Sequence, residues 1–149
     1  RSLYTIWKRT AAPPTMLLFD APTREICTVK RSRTNTPLQA LAMLNEVTFV
    51  EAQRGLAEQM MTNSNTPSEA IAYGYQRATA RKIEAEALTL LLKGWQERRD
   101  WYAANPEEAA KSITQGASLP NKSLPATDLA AYTATAGVLL NLDRVVTRD

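Results

Sequence analysis

Residues 19–45, FDAPTREICTVKRSRTNTPLQALAMLN, combine a turn, a short alternating run, four cations and a helix start. The last part decides the fold class. Thr36-Pro37-Leu38-Gln39 places a hydroxyl at the N-cap, proline at the first helical position and an amide at N3. The cap oxygen can accept from a free backbone N–H at N2 or N3, the N3 side chain can reach back, and proline wastes no donor at N1. Thr66-Pro67-Ser68-Glu69 repeats the pattern, and Asn105-Pro106-Glu107-Glu108 is a third version. Three such starts in one chain predict a mainly α protein of about five helices in a compact bundle-like domain.

The apolar spacing between these starts is helical. Leu38, Leu41 and Ala42 share a face; Phe49, Val50, Leu56 and Met60 continue after an interruption at Asn45-Glu46. Ile71, Tyr75 and Ala78 give a short helix. Leu88, Leu91, Leu92, Trp95 and Tyr102 give a long one over 84–104, and Leu129, Tyr132, Ala136, Leu139, Leu140 and Val146 give a last one over 127–147. Residues 116–125 read as a loop. The N-terminal part reads differently. Residues 3–7 are rich in β-formers, and residues 25–30 alternate polar and apolar side chains as a half-buried strand does. The expectation is one domain over 1–149, with an extended or small β-containing segment at 1–35 and a helical part at 36–149. Opening at Arg1 on such a segment predicts a piece of a larger domain, its edge covered by upstream chain.

Composition narrows the chemistry. The chain has 149 residues, enough for a real core, and 44% hydrophobic and 22% charged residues, as a globular protein has. No apolar run reaches the length of a membrane span. The net charge of +3 is a mild basic excess mixed with acids, and without a nucleic-acid motif it speaks against nucleic-acid binding. There is no histidine, which removes the commonest general base and metal ligand. One cysteine, Cys27, can form neither an internal disulfide nor a CxxCH haem attachment. No phosphate loop, dinucleotide fingerprint, zinc signature or hydrolase elbow is present, so neither a catalytic nor a metal site is assigned.

Candidate binding residues cluster near the quoted stretch. Arg24, Lys30, Arg31 and Arg33 lie close in sequence. On an extended segment Arg31 and Arg33 point to one face and can grip a carboxylate or sulfate through paired N–H donors. An anionic glycan or an acidic protein segment suits them. The other reading is structural, with these arginines paired to Asp20, Glu25 or Glu46. Asp20 also stands beside Ala21-Pro22, where a short acid serves a turn. Cys27 reads as a small half-buried residue. Trp101 falls off the stripe that carries Trp95 and Tyr102, which makes it the best candidate for an exposed ring.

The segments RSLYTIWKRT, PPTMLLFDAPTREICTVKRSRTNTPLQALAMLN and LLNLDRVVTRD resemble the C-terminal domain of unknown function of large planctomycete proteins that also carry a cytochrome-c-like region. The block RSRTNTPLQAL is long and unusual, and residues 66–116 follow the family more loosely. Where that family often has a Gly-Arg-Pro-Pro turn and a threonine cap, this chain has Ala80-Arg81-Lys82-Ile83 and Glu84. The resemblance implies an exported protein of the periplasm or cell envelope and upstream domains of the same polypeptide as partners. It places c-type haem in such an upstream domain, with no cofactor in this chain. Two functions follow: a non-catalytic structural or binding module, or one wall of a polysaccharide-processing or redox active site completed upstream.

Overall fold

A computed structural model describes residues 5–8, 11–23, 25–30, 32 and 34–146. Among them the chain is mainly helical: α1 (Pro14–Leu18), α2 (Pro37–Asn45), α3 (Val47–Thr62), α4 (Pro67–Thr79), α5 (Ala85–Ala104), α6 (Pro106–Ile113), α7 (Ala126–Leu140) and α8 (Asp143–Val146). That is more helices than expected. The single last helix is broken at Asn141-Leu142 into α7 and α8, and α1 is a helix the sequence does not signal, whereas α6 begins at Pro106, where the third start signal places a helix. No strand forms among the described residues. The N-terminal β expectation reduces to an isolated bridge between Lys8 and Ala11, and residues 25–30 are bends and irregular backbone. Leu3 and Tyr4, at the start of the other expected strand, lie outside the described residues.

Two of the three helix-start signals form as read. Gln39 N–H donates to Thr36 Oγ1 (3.3 Å) while Thr36 N–H donates to Gln39 Oε1 (3.0 Å). Thr66 and Glu69 make the same reciprocal box at α4. The third differs: Asn105 makes no side-chain cap, because its amide donates instead to Trp101 O, the last turn of the preceding helix (2.8 Å).

The chain divides into two compact units, Arg1–Ala42 and Met43–Asp149. The first is organised by polar bonds. Gln39 is 2% exposed, and its amide donates to Leu18 O (2.7 Å) and Thr34 Oγ1 (3.1 Å). Asp20 Oδ2 accepts from both the N–H and the hydroxyl of Thr34 (2.8 Å each). Every buried apolar residue described belongs to the second unit, from Ala57 to Leu139.

In that second unit α7 is the central element, packing against α3, α5, α6, α4 and α8. It is buried on almost every side: Leu129, Ala130, Ala131, Tyr132, Ala136 and Leu139 join the core. A helix surrounded in this way is apolar all round rather than striped. Its buried hydroxyls are satisfied within the helix, Thr133 donating to Leu129 O (2.7 Å) and Thr135 to Ala131 O (2.8 Å). Small residues let its neighbours approach. A Cβ on Gly137 would stand 2.9 Å from Gln53 Oε1 of α3, whose amide in turn donates to Met43 O (2.7 Å).

Arg54 of α3 closes the long connection from α6 to α7. Its side chain is 3% exposed. Nη1 donates to Ile113 O and Gln115 O, and Nη2 to Ser118 O and Oγ. Glu51, one turn earlier, accepts from Ala117 N–H (3.1 Å), Ser118 N–H (2.7 Å) and the Ser118 hydroxyl. Glu58, one turn later, accepts from Asn121 N–H (3.0 Å). The loop passes so close to α3 that only glycine fits at 116. There φ is +105°, and a Cβ would meet the Glu51 carboxylate at 2.7 Å.

Ala80 ends α4 in the left-handed region, at φ 57° and ψ 19°, a conformation that costs an L-residue more than glycine. Ala80→Gly is expected to raise stability by about 0.5–1 kcal/mol in chemical denaturation. The Ser118 hydroxyl and the Ser118 and Ala117 amides lower the Glu51 pKa from its ordinary 4.5, more than desolvation raises it. A depressed carboxylate stabilises the fold fully above that ordinary value and loses the contribution as pH falls through the lowered one. The stability gap between the parent and Glu51→Gln is therefore expected to be widest near neutrality and to narrow steadily below pH 4.5 in acid-range denaturation curves.

Candidate functional site

The residues expected from sequence to bind a ligand do not assemble into one described site. Arg24, Arg31 and Arg33 lie outside the described residues. Asp20 sits in the N-terminal unit at φ 57°, two residues past α1. Its carboxylate ties to Thr34, fourteen residues on, rather than serving only its own turn. Trp101 belongs to α5 and is 53% exposed, its ring edge-on to Tyr102 at 5.0 Å. Cys27 is exposed, not half-buried: without a strand around it there is no covered face to receive it. Among the described residues no group of three or more Cys, Asp or Glu side chains is placed to hold a metal.

The C-terminal unit does form a cleft of about 410 Å³ where α5 and α7 meet the start of α4. Three kinds of wall enclose it. Met61, Pro67 and Ala70 make it apolar on one side, Ser64 and Asn65 supply short polar groups at the loop before α4, and Trp95, Arg99, Asp128 and Tyr132 form the rest. The positive end of α4 is not open to a ligand in the ordinary way. The Thr66 hydroxyl already accepts from Glu69 N–H, and the Glu69 carboxylate accepts from Asn65 and Thr66 N–H.

Helical spacing sets the charged wall. Trp95 and Arg99 are four residues apart on α5, so they share a face, and the Arg99 guanidinium lies 5.7 Å from the indole centroid. Asp128 and Tyr132 are four apart on α7 and share a face there. Core packing brings the two faces together. The Trp95 and Tyr132 rings stand 5.1 Å apart at 37°, and Arg99 Nε donates to Asp128 Oδ1 at 2.7 Å. This bond uses one of five N–H groups of the guanidinium. Among the described residues its terminal nitrogens have no acceptor. Asp128 raises the Arg99 pKa, through the hydrogen bond first and its charge second. The cation is thus permanent and held in place.

Two further features mark this wall. Trp95 is 6% exposed, and its indole N–H is buried without an acceptor among the described residues. An unmade bond of that kind costs about 1–3 kcal/mol. Burial and the Asp128 charge push the Tyr132 pKa up to about 12, against a smaller lowering by Arg99. The phenol is therefore a hydrogen-bond donor at any physiological pH. Arg99, Asp128 and Tyr132 were not singled out from sequence as site residues. Each i,i+4 pair was legible, but nothing local says that α5 and α7 present those faces to each other.

A family model described as "PSD1: Protein of unknown function (DUF1553)" matches residues 1–95. The match takes in the two N-terminal segments that carry the resemblance, while the closing LLNLDRVVTRD falls outside it. No curated protein and no solved structure matches the chain. The match covers well over half of the sequence, so the chain belongs to this family, whose function is not known.

A raised phenol pKa favours the fold fully below the ordinary tyrosine value of 10 and loses that contribution as pH rises toward about 12. Ultraviolet titration is expected to show one tyrosine ionising near 12. In Tyr132→Phe that late step is expected to be missing, and the loss of stability between pH 10 and 12 to be shallower.

Proposed function

We propose that this member of the family is a non-catalytic packing and binding module of a larger exported protein that also carries a cytochrome-c-like region. One observation supports the reading above others. The N-terminal unit leaves Ile6, Leu17, Ile26, Val29, Leu38 and Leu41 exposed, at 45% to 104% of their full area, and none of its described apolar residues is fully buried. Single exposed apolar residues are ordinary, but a unit that exposes this many and buries a glutamine at its centre has its apolar surface turned toward a partner. The occupant we assign is another domain of the same polypeptide, in keeping with the multidomain proteins that this sequence resembles.

Arg24, Arg31 and Arg33 belong to the same N-terminal segment, and in this reading they take an acidic stretch of that domain or an anionic glycan. Haem, where the polypeptide binds it, belongs to the upstream region. In the described part of this chain the shifted carboxylate, Glu51, is explained by the loop it holds, which is an architectural role.

The reading is tested by covalent side-chain footprinting of the complete polypeptide and of this chain alone. Ile26, Val29, Leu38 and Leu41 are expected to label readily in the isolated chain and to be protected at least severalfold in the complete protein. Equal labelling in both would overturn it. Protection that appears in the isolated chain with rising concentration, together with a dimer in sedimentation, would assign the surface to a second copy instead and also overturn it.

A further inference from the structure

We propose that the cleft between α4, α5 and α7 binds a small organic carboxylate, a ligand site separate from the packing surface of the N-terminal unit. The cation is built for it. Arg99 is fixed by Asp128 through Nε and by the indole face of Trp95, at 2.7 Å and 5.7 Å. Its terminal nitrogens, the edge that grips a carboxylate with two parallel bonds, have no acceptor among the described residues. A guanidinium already held by its neighbours loses little freedom when a ligand arrives.

The rest of the cleft agrees with that anchor. Tyr132 keeps its proton and Ser64 and Asn65 offer donors, so the polar groups around Arg99 favour an acceptor-rich head group. The single carboxylate in the wall, Asp128, is engaged by Arg99. Met61, Pro67 and Ala70 face a ligand with an apolar body. A volume of about 410 Å³ lies in the range of small-molecule sites. The ligand class is therefore a monocarboxylate with a compact apolar part.

The test is a titration of the full chain with benzoate and hexanoate and, in parallel, with benzamide and hexanamide. It is followed by the Trp95 indole N–H signal in nitrogen-15 correlation spectra. Saturable shifts are expected with the carboxylates, and the neutral amides are expected to bind at least about tenfold more weakly, since charge-assisted pairs are the stronger ones. Arg99→Gln is expected to weaken carboxylate binding by at least about tenfold. Asp128→Asn keeps an acceptor for Arg99 but removes a negative charge, and is expected to tighten binding by roughly threefold. Arg99 is half-exposed on α5, so its replacement leaves the core signals of α7 in place as a control of folding. No saturable shift with either acid, equal binding of acid and amide, unchanged binding in Arg99→Gln, or weaker binding in Asp128→Asn would each overturn the assignment.

Discussion

The buried guanidinium of Arg54 is the interaction on which the C-terminal unit depends. An arginine 2% exposed is costly unless every donor finds an acceptor and its charge is balanced. One loop supplies acceptors for four of the five N–H groups, and one helix balances the charge. The carbonyls of Ile113, Gln115 and Ser118 take the N–H groups, while Glu51 and Glu58 lie 3.9 Å away on the same helix. The carbonyl of Ile113 is a free group at the end of α6, so the same contact finishes that helix.

The consequences run outward from there. With the connection pinned to α3, α7 enters the centre of the unit in one register. Its small residues, Ala130, Ala131, Ala136 and Gly137, then let α3 come close enough for Gln53 to touch Gly137. That register also decides which side of α7 meets α5, and so brings Asp128 and Tyr132 against Arg99 and Trp95. The cleft is a by-product of how the core is assembled. The N-terminal unit is built on a different principle, with Gln39, Thr34 and Asp20 linked by hydrogen bonds, Trp7, Met16, Leu18 and Phe19 half-buried, and Ile6, Leu17, Ile26, Val29, Leu38 and Leu41 exposed.

The turn at Ala80 takes a left-handed backbone, the conformation that glycine adopts without strain. At Glu84, α5 begins without a side-chain cap. The helices on either side form regardless. Tertiary packing of Ile71, Tyr75 and Trp95 outweighs a capping term of about 1 kcal/mol.

By itself the sequence determined the helical class, the two proline-led capping boxes, the α5 stripe and the buried positions Leu129, Tyr132, Ala136 and Leu139. These depend on contacts three or four residues apart, and the chain carries such contacts on its face. It misled where a local pattern had no partner. The alternation at residues 25–30 looks like a strand, but a strand needs another to pair with, and Asn105 looks like a cap until its amide finds Trp101 O. Only the tertiary structure decided the role of Arg54, which in sequence is one more charge on a helix, and the meeting of Arg99 with Asp128. The partners of these two stand 59 to 64 and 29 residues away, and no local spacing encodes which distant backbone a buried charge will meet.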